Sequence, residues 1–307
     1  MAVALAAGHP VVSGVLVPEL WVAETLDKMY AKAVTPNICS TEYEGELKKH
    51  GDVAHILLEP AVTRKTGKIG QDMTSTVTQF TNTDLTIDKY FYYDETVHGV
   101  VEAQSDAKIA SILQNVIAKN DAEATDADIL AGIATGGAAA NVGATAGRKS
   151  SSYDLGVTGA SKVVTSLTAV EYLLDLFAVI RETNATENIW CYIPSWYARM
   201  LKSSELKAAG DMGDGKSIIR TGLLGMLDGF ELYETNNFTA VTDGTDSNTC
   251  YYAQAGHRSA VAFAKTIQNS RIIDTENQFA KRIQVEVVYG YDVVNPDYLA
   301  TLYCRKG

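Results

Sequence analysis

Apolar residues recur at helical spacing through one long stretch of the chain. Ile109, Ile112, Leu113, Val116 and Ile117 form a stripe, which Ala127, Leu130 and Ile133 continue less strongly. The spacing predicts a helix from about Ser105 to the Gly136-Gly137 pair, a rod of roughly 40 Å at about 1.5 Å per residue. A second helix is predicted after Thr168, where Thr168-Ala169-Val170-Glu171 fits a capping box and Val170, Leu173, Leu174, Phe177 and Ile180 face inward. A third, after Pro194, surrounds Trp196, Met200 and Leu201. Near the N-terminus Pro18 opens and Pro36 closes a short helix bearing Val22, Leu26, Met29 and Ala33. Residues 1–18 show neither helical nor strand periodicity and read as an arm.

Elsewhere the pattern is that of strands. Val53 to Leu58 is strand-like and Thr74 to Thr81, rich in Thr and Val, is its predicted return; between them lies a polar tip, Thr63-Arg64-Lys65-Thr66-Gly67-Lys68. So long a hairpin is marginal in water by itself and implies support from outside. Leu85 and Ile87 then alternate with polar residues ahead of the aromatic run Tyr90 to Tyr93. Further strands are predicted at 189–193, Phe230 to Tyr233, Tyr251 to Ala253, around Ile283, Val285 and Val287, and around Leu299, Thr301 and Tyr303. Residues 136–160 and 210–222 are glycine-rich loops, and no repeat of fixed period occurs.

Charge narrows the function. The 307 residues carry 26 Lys and Arg against 37 Asp and Glu, a net charge of −11. A free-standing nucleic-acid binder needs clustered cations to neutralise phosphates, and few stretches here supply them. Cys39, Cys191, Cys250 and Cys304 include no CxxC pair, so they read as reduced structural thiols. No Lys or Arg precedes Lys28 and no uncharged apolar run of membrane length occurs, so neither an export signal nor a transmembrane helix is expected.

The sharpest chemical motif is Gly210-Asp211-Met212-Gly213-Asp214-Gly215-Lys216-Ser217, which matches the phosphate-loop pattern. That chemistry needs a strand before the loop and a helix after it. Here a helix precedes the loop, Gly222 and Gly225 interrupt the segment after it, and Asp211 and Asp214 oppose phosphate, so a surface loop is the better reading. His9, His50, His55, His98 and His257 lack metal-ligand spacing, and Asp243 to Asn248 lacks the spacing of a calcium loop. No catalytic, cofactor or metal residues are therefore assigned. The acids Asp121, Glu123, Asp126 and Asp128 on the long helix read as a solvated face that a basic partner could use.

In order and spacing, several segments resemble the tailed-bacteriophage major capsid family with the Hong Kong 97 fold. They are Val17-Pro18-Glu19-Leu20-Trp21, Gly51-Asp52-Val53, Leu85-Thr86-Ile87-Asp88 with Asp94, Tyr192-Ile193-Pro194-Ser195-Trp196, Gly222 to Tyr233, and Tyr289-Gly290-Tyr291 with Asn295-Pro296. The resemblance implies an α+β fold with an N-terminal arm and short helix over 1–40, an extended β-hairpin loop over 41–84, and a peripheral domain with a spine helix over 85–150. An axial domain over 151–265 and peripheral return strands over 266–307 complete it. It also implies a non-enzymatic subunit that builds hexamers and pentamers of an icosahedral virion shell around double-stranded DNA. Assembly would occur in the host cytoplasm, with a portal, a separate scaffolding protein and, as a further candidate, a decoration protein. In that family the extended loop lies across a neighbour near its spine helix. Arg64, Lys65 and Lys68 at the tip are accordingly expected to meet Asp121, Glu123, Asp126 and Asp128 of an adjacent subunit, the alternative being a solvated tip that keeps the loop soluble before assembly. Rival readings are a cellular nanocompartment shell (encapsulin) of the same architecture, a nucleotide-using enzyme resting on residues 210–217, and an adhesin-like surface protein.

Overall fold

A computed structural model of the chain describes residues 38–42, 53–60, 62–98, 109–185, 187–204, 225–244, 248–276 and 279–307. The arm, the short helix before Pro36 and the loop 210–222 with its phosphate-loop pattern lie outside the described residues. The elements run β1 (Val53–Leu57), β2 (Asn82–Thr86), β3 (Lys89–His98), α1 (Ile109–Ile133), β4 (Lys162–Val164), α2 (Ala169–Glu182), β5 (Ile189–Pro194) and α3 (Ser195–Ser203). They continue β6 (Met226–Leu227), β7 (Phe230–Thr235), β8 (Val241–Thr242), β9 (Thr249–His257), β10 (Val261–Asp274), β11 (Ala280–Val293) and β12 (Leu299–Lys306). They form an antiparallel pair β1-β2, a three-stranded antiparallel sheet β10-β11-β3, and a seven-stranded mixed sheet β4-β12-β9-β5-β7-β6 in which β8 flanks β9.

Strand β5 shows how the sequence joins these parts. All six of its residues are buried, and their alternation divides them between two cores. Ile189, Cys191 and Ile193 join Leu173, Phe177 and Ile180 of α2 beneath the large sheet. Trp190 and Tyr192 join Ile129, Leu130 and Ile133 of α1 and Ile283, Val285 and Val287 of β11. Strand period two thus serves both faces of one strand at once. Buried Gln254 on β9 reinforces the junction by donating from Nε2 to the Leu130 carbonyl of α1 at 2.6 Å.

Several expectations need correction. The strand pairing with β1 is β2, from Asn82, not the Thr74–Thr81 run: Val53 faces Thr86 and Leu57 faces Asn82. A β-prone stretch becomes a strand only where an unpaired edge meets it, and β1 is taken by β2. The capping box does not form, because Thr168 Oγ1 accepts from the Thr165 amide at 3.1 Å and donates to the Val163 carbonyl at 3.2 Å. On α2 the inward face is Leu173, Leu176, Phe177, Val179 and Ile180, while Leu174 is 43% exposed. The final strand β12, expected with the peripheral strands, lies between β4 and β9 in the large sheet. Its alternation announces a strand but cannot say which sheet takes it. Of the aromatic run on β3, Tyr93 packs against the core beneath α1, while Tyr90, Phe91 and Tyr92 are 53%, 48% and 69% exposed.

Two glycines allow close approaches. At Gly290 on β11 a Cβ would stand 2.9 Å from the Cα of Ile87 and the carbonyl carbon of Thr86, so glycine lets the base of the β1-β2 pair lie directly on the sheet. Gly132 on α1 meets the Tyr291 ring, whose hydroxyl donates to the Asp128 carbonyl at 2.9 Å; a Cβ would fall 2.6 Å from Cε2 and 2.7 Å from Cζ. Gly→Ala within a helix ordinarily stabilises by about 1 kcal/mol. At Gly132 the sign should reverse, because the anchored ring must move, and overpacking costs about 1–3 kcal/mol. Thermal melting of Gly132→Ala should show a lower midpoint, and Tyr291→Leu in the same chain should recover part of the loss. A raised midpoint would mean that the ring does not rest on the helix.

Candidate functional site

Among the described residues, no group of three or more His, Cys, Asp or Glu is placed to hold a metal. The four cysteines are buried and unpaired, and burial pushes the Cys304 thiol up to about 12. Burial first, then the nearby Asp126 charge, pushes the Cys39 thiol further still, which removes its nucleophilicity. The helix preceding the phosphate-loop pattern is α3, which extends to Ser203, where a nucleotide loop would need a strand. Asp243, in the calcium-loop lookalike, is buried and accepts the Gly159 amide at 3.0 and 3.1 Å. It serves as a loop clamp.

What the chain does present is unpartnered surface. Residues 58–81 connect β1 to β2 without regular secondary structure among those described. Along them Val62, Ile69, Met73, Val77 and Phe80 are each at least 62% exposed. Their internal ties are few: Leu58 donates to the Thr81 carbonyl at 2.9 Å, Gln71 to the Lys68 carbonyl at 3.1 Å, and Lys65 Nζ to the Thr74 carbonyl at 2.6 Å. Among the described residues, 75–80 take part in no hydrogen bond. Among the described residues the excursion is anchored at its base, where Ala54, Ile56, Leu85 and Ile87 pack with Ala262, Ala264 and Val288. Arg64, Lys65 and Lys68 are exposed.

The helix acids are not a solvated face. Asp121 and Asp126 are 4% and 1% exposed and lie in one buried stripe with Ile117, Thr125, Ile129, Leu130 and Ile133. Asp121 pairs with Lys265 of β10 at 3.0 Å. Asp128 pairs with Lys89 of β3 at 2.9 Å and accepts the Tyr289 hydroxyl at 2.9 Å. Burial opposes the charge on Lys89, but its hydrogen bond to Asp128 prevails and holds its pKa above the usual value. These acids fasten α1 to its own sheet. Glu123 differs: it is half-exposed, forms no ion pair among the described residues, and lines a groove of about 370 Å³ with Tyr93, Asn120, Ala124 and Ala127. On the opposite face of the small sheet, Asp94 accepts from both Arg282 and Gln284, and the Arg282 bonds foremost hold its carboxyl below the usual range.

No protein-family model and no curated protein matches the chain. Solved structures do. A chain from Mycobacterium phage Che8 superposes with a TM-score of 0.74 at 23% identity, over 93% of this chain and 96% of that one. The capsid of Cyanophage P-SCSP1u gives 0.70 at 13% identity, over 95% and 94%. The capsid of a native GTA particle gives 0.61 at 14% identity, over 96% and 99%. The chain therefore has the α+β fold of phage capsid chains along nearly its whole length.

Proposed function

We propose that this chain is a major capsid protein of the Hong Kong 97 type, a non-enzymatic subunit that assembles with copies of itself into hexamers and pentamers of a shell around phage double-stranded DNA. The observation carrying this reading is the near full-length match to capsid chains in a subunit whose excursion leaves five large apolar side chains in water. Large apolar side chains held in water along one segment suit an association site, and a closed shell buries them once per neighbour. The net charge of −11 also suits a wall that must enclose DNA without gripping it. In this reading the excursion is the extended loop and α1 the spine of a peripheral domain. The large sheet belongs to the axial domain, with portal, scaffolding and decoration proteins as further partners.

Within such a shell the basic tip, Arg64, Lys65 and Lys68, docks on an adjacent subunit. Of the four helix acids Glu123 is the favoured acceptor, since Asp121, Asp126 and Asp128 are turned inward or paired at home. Each exposed pair contributes about 0–1 kcal/mol and weakens with salt. Orientation, repeated around the shell, is its main effect.

Electron microscopy of the expressed chain, alone and with its neighbouring genes, tests the reading. Closed particles or capsomers are expected, with nuclease-protected DNA when packaging genes are present. A monodisperse monomer at high concentration under all these conditions would overturn it. Reversing the three tip charges should slow assembly, and Glu123→Lys in the same chain should restore part of the loss.

A further inference from the structure

Two unpaired backbone edges stand out, and they match. Residues 74–81, Thr-Ser-Thr-Val-Thr-Gln-Phe-Thr, have strong β-propensity, yet lack a strand partner among the described residues of their own chain. Strand β3 is ten residues long and pairs with β11 on one side; among the described residues no strand lies on its other side. Long, aromatic and open, such an edge is a template for another strand. The far edge of the same sheet is met by Ser40, whose amide donates to the Val261 carbonyl at 2.8 Å and whose carbonyl accepts from Phe263 at 3.0 Å.

We propose that Thr74–Thr81 of one copy becomes a strand by adding to the free edge of β3 in a second copy. The proposal rests on the shell reading and specifies its partner surface. Charge supports the pairing of these two segments. The groove beside β3 is lined by Tyr93 and Glu123, and β3 itself carries the exposed Glu95, so a basic tip meets acids as the adjoining run meets the edge. Apolar matching agrees: Val77 and Phe80 are exposed on the incoming run, and Tyr90, Phe91 and Tyr92 on the receiving strand. Backbone hydrogen bonds then supply affinity, and alternate side chains supply register. The addition would satisfy amides and carbonyls that the isolated subunit leaves to water.

The test uses the full chain in assembled particles. Val77→Cys is combined in turn with Tyr90→Cys, Phe91→Cys, Tyr92→Cys and Tyr93→Cys, and the oxidised particles are run on non-reducing denaturing gels. The four native thiols are buried, so they contribute little background. Directly opposed strand residues bring Cα atoms within disulfide range. At least one pair should give a ladder of linked chains, absent from the single-cysteine variants. Val77→Pro, which removes an amide, should lower particle yield about tenfold, whereas Val77→Ala should stay within about twofold. Normal particles with no ladder from any pair overturn the strand addition and leave the shell reading intact. Failure of the unaltered chain to form particles overturns both.

Discussion

Replacing residues 59–80 with Asn-Gly is expected to leave a folded subunit that forms no shells. The removed side chains belong to none of the buried cores, and Val62, Ile69, Met73, Val77 and Phe80 lie in water. The flanking Leu58–Thr81 hydrogen bond and the β1-β2 register are retained. A two-residue Asn-Gly turn suits the twist of an antiparallel pair. Shortening the connection to that length lowers the closure entropy by about 2 kcal/mol, so the subunit should be as stable as before or more so. Assembly should nonetheless vanish, because the apolar reach between subunits has gone. Circular dichroism and thermal melting would report the fold, and electron microscopy the particles. Shells in normal yield would show that the excursion is not the assembling element. A subunit that fails to fold would show that residues 59–80 stabilise the monomer, against every burial value along them.

Much of the fold is legible in the sequence wherever one period runs unbroken. The stripe ending at Ile133 marks α1, the run Ile189 to Ile193 marks β5, and Ile283, Val285 and Val287 mark β11. Legibility fails where the deciding partner is distant. Propensity puts the return strand in the β-prone Thr74–Thr81 rather than the polar Asn82–Thr86, because the partner that selects it, Val53–Leu57, is not implied by propensity. The inward acids are hidden for the same reason. Asp121 and Asp128 interrupt the apolar stripe of α1, so the helix looks more solvated than it is. The cations that justify their burial, Lys265 and Lys89, lie far along the chain on other elements. Buried carboxylates of this kind are expected only with partners, and no local pattern reveals a partner on another sheet. Glu123 emerges as the distinct acid only when the other three have been placed.

The same limit decides the second large effect, on α2, where the sequence pattern and the structure disagree about one residue. Spacing puts both Phe177 and Leu174 inward. In the structure Phe177 is fully buried, its ring stacked on Phe230 at 3.9 Å and 11°, while Leu174 is 43% exposed. Phe177→Ala should therefore cost about 3–5 kcal/mol, the loss of transfer free energy plus an unfilled cavity. That is a large part of the roughly 5–15 kcal/mol typical of a whole domain. Leu174→Ala on the same helix should change stability by no more than about 0.5 kcal/mol. Both are best measured by urea unfolding in the loop-shortened chain, where assembly cannot contribute to the midpoint. Phe177→Leu separates volume from stacking: it retains most of the fill and should recover about half the loss. Comparable losses for Leu174→Ala and Phe177→Ala would mean that the helix is rotated from the placement described. If Leu174→Ala is silent in the subunit yet lowers the yield of particles from the full-length chain, this face of α2 is buried between subunits rather than within one.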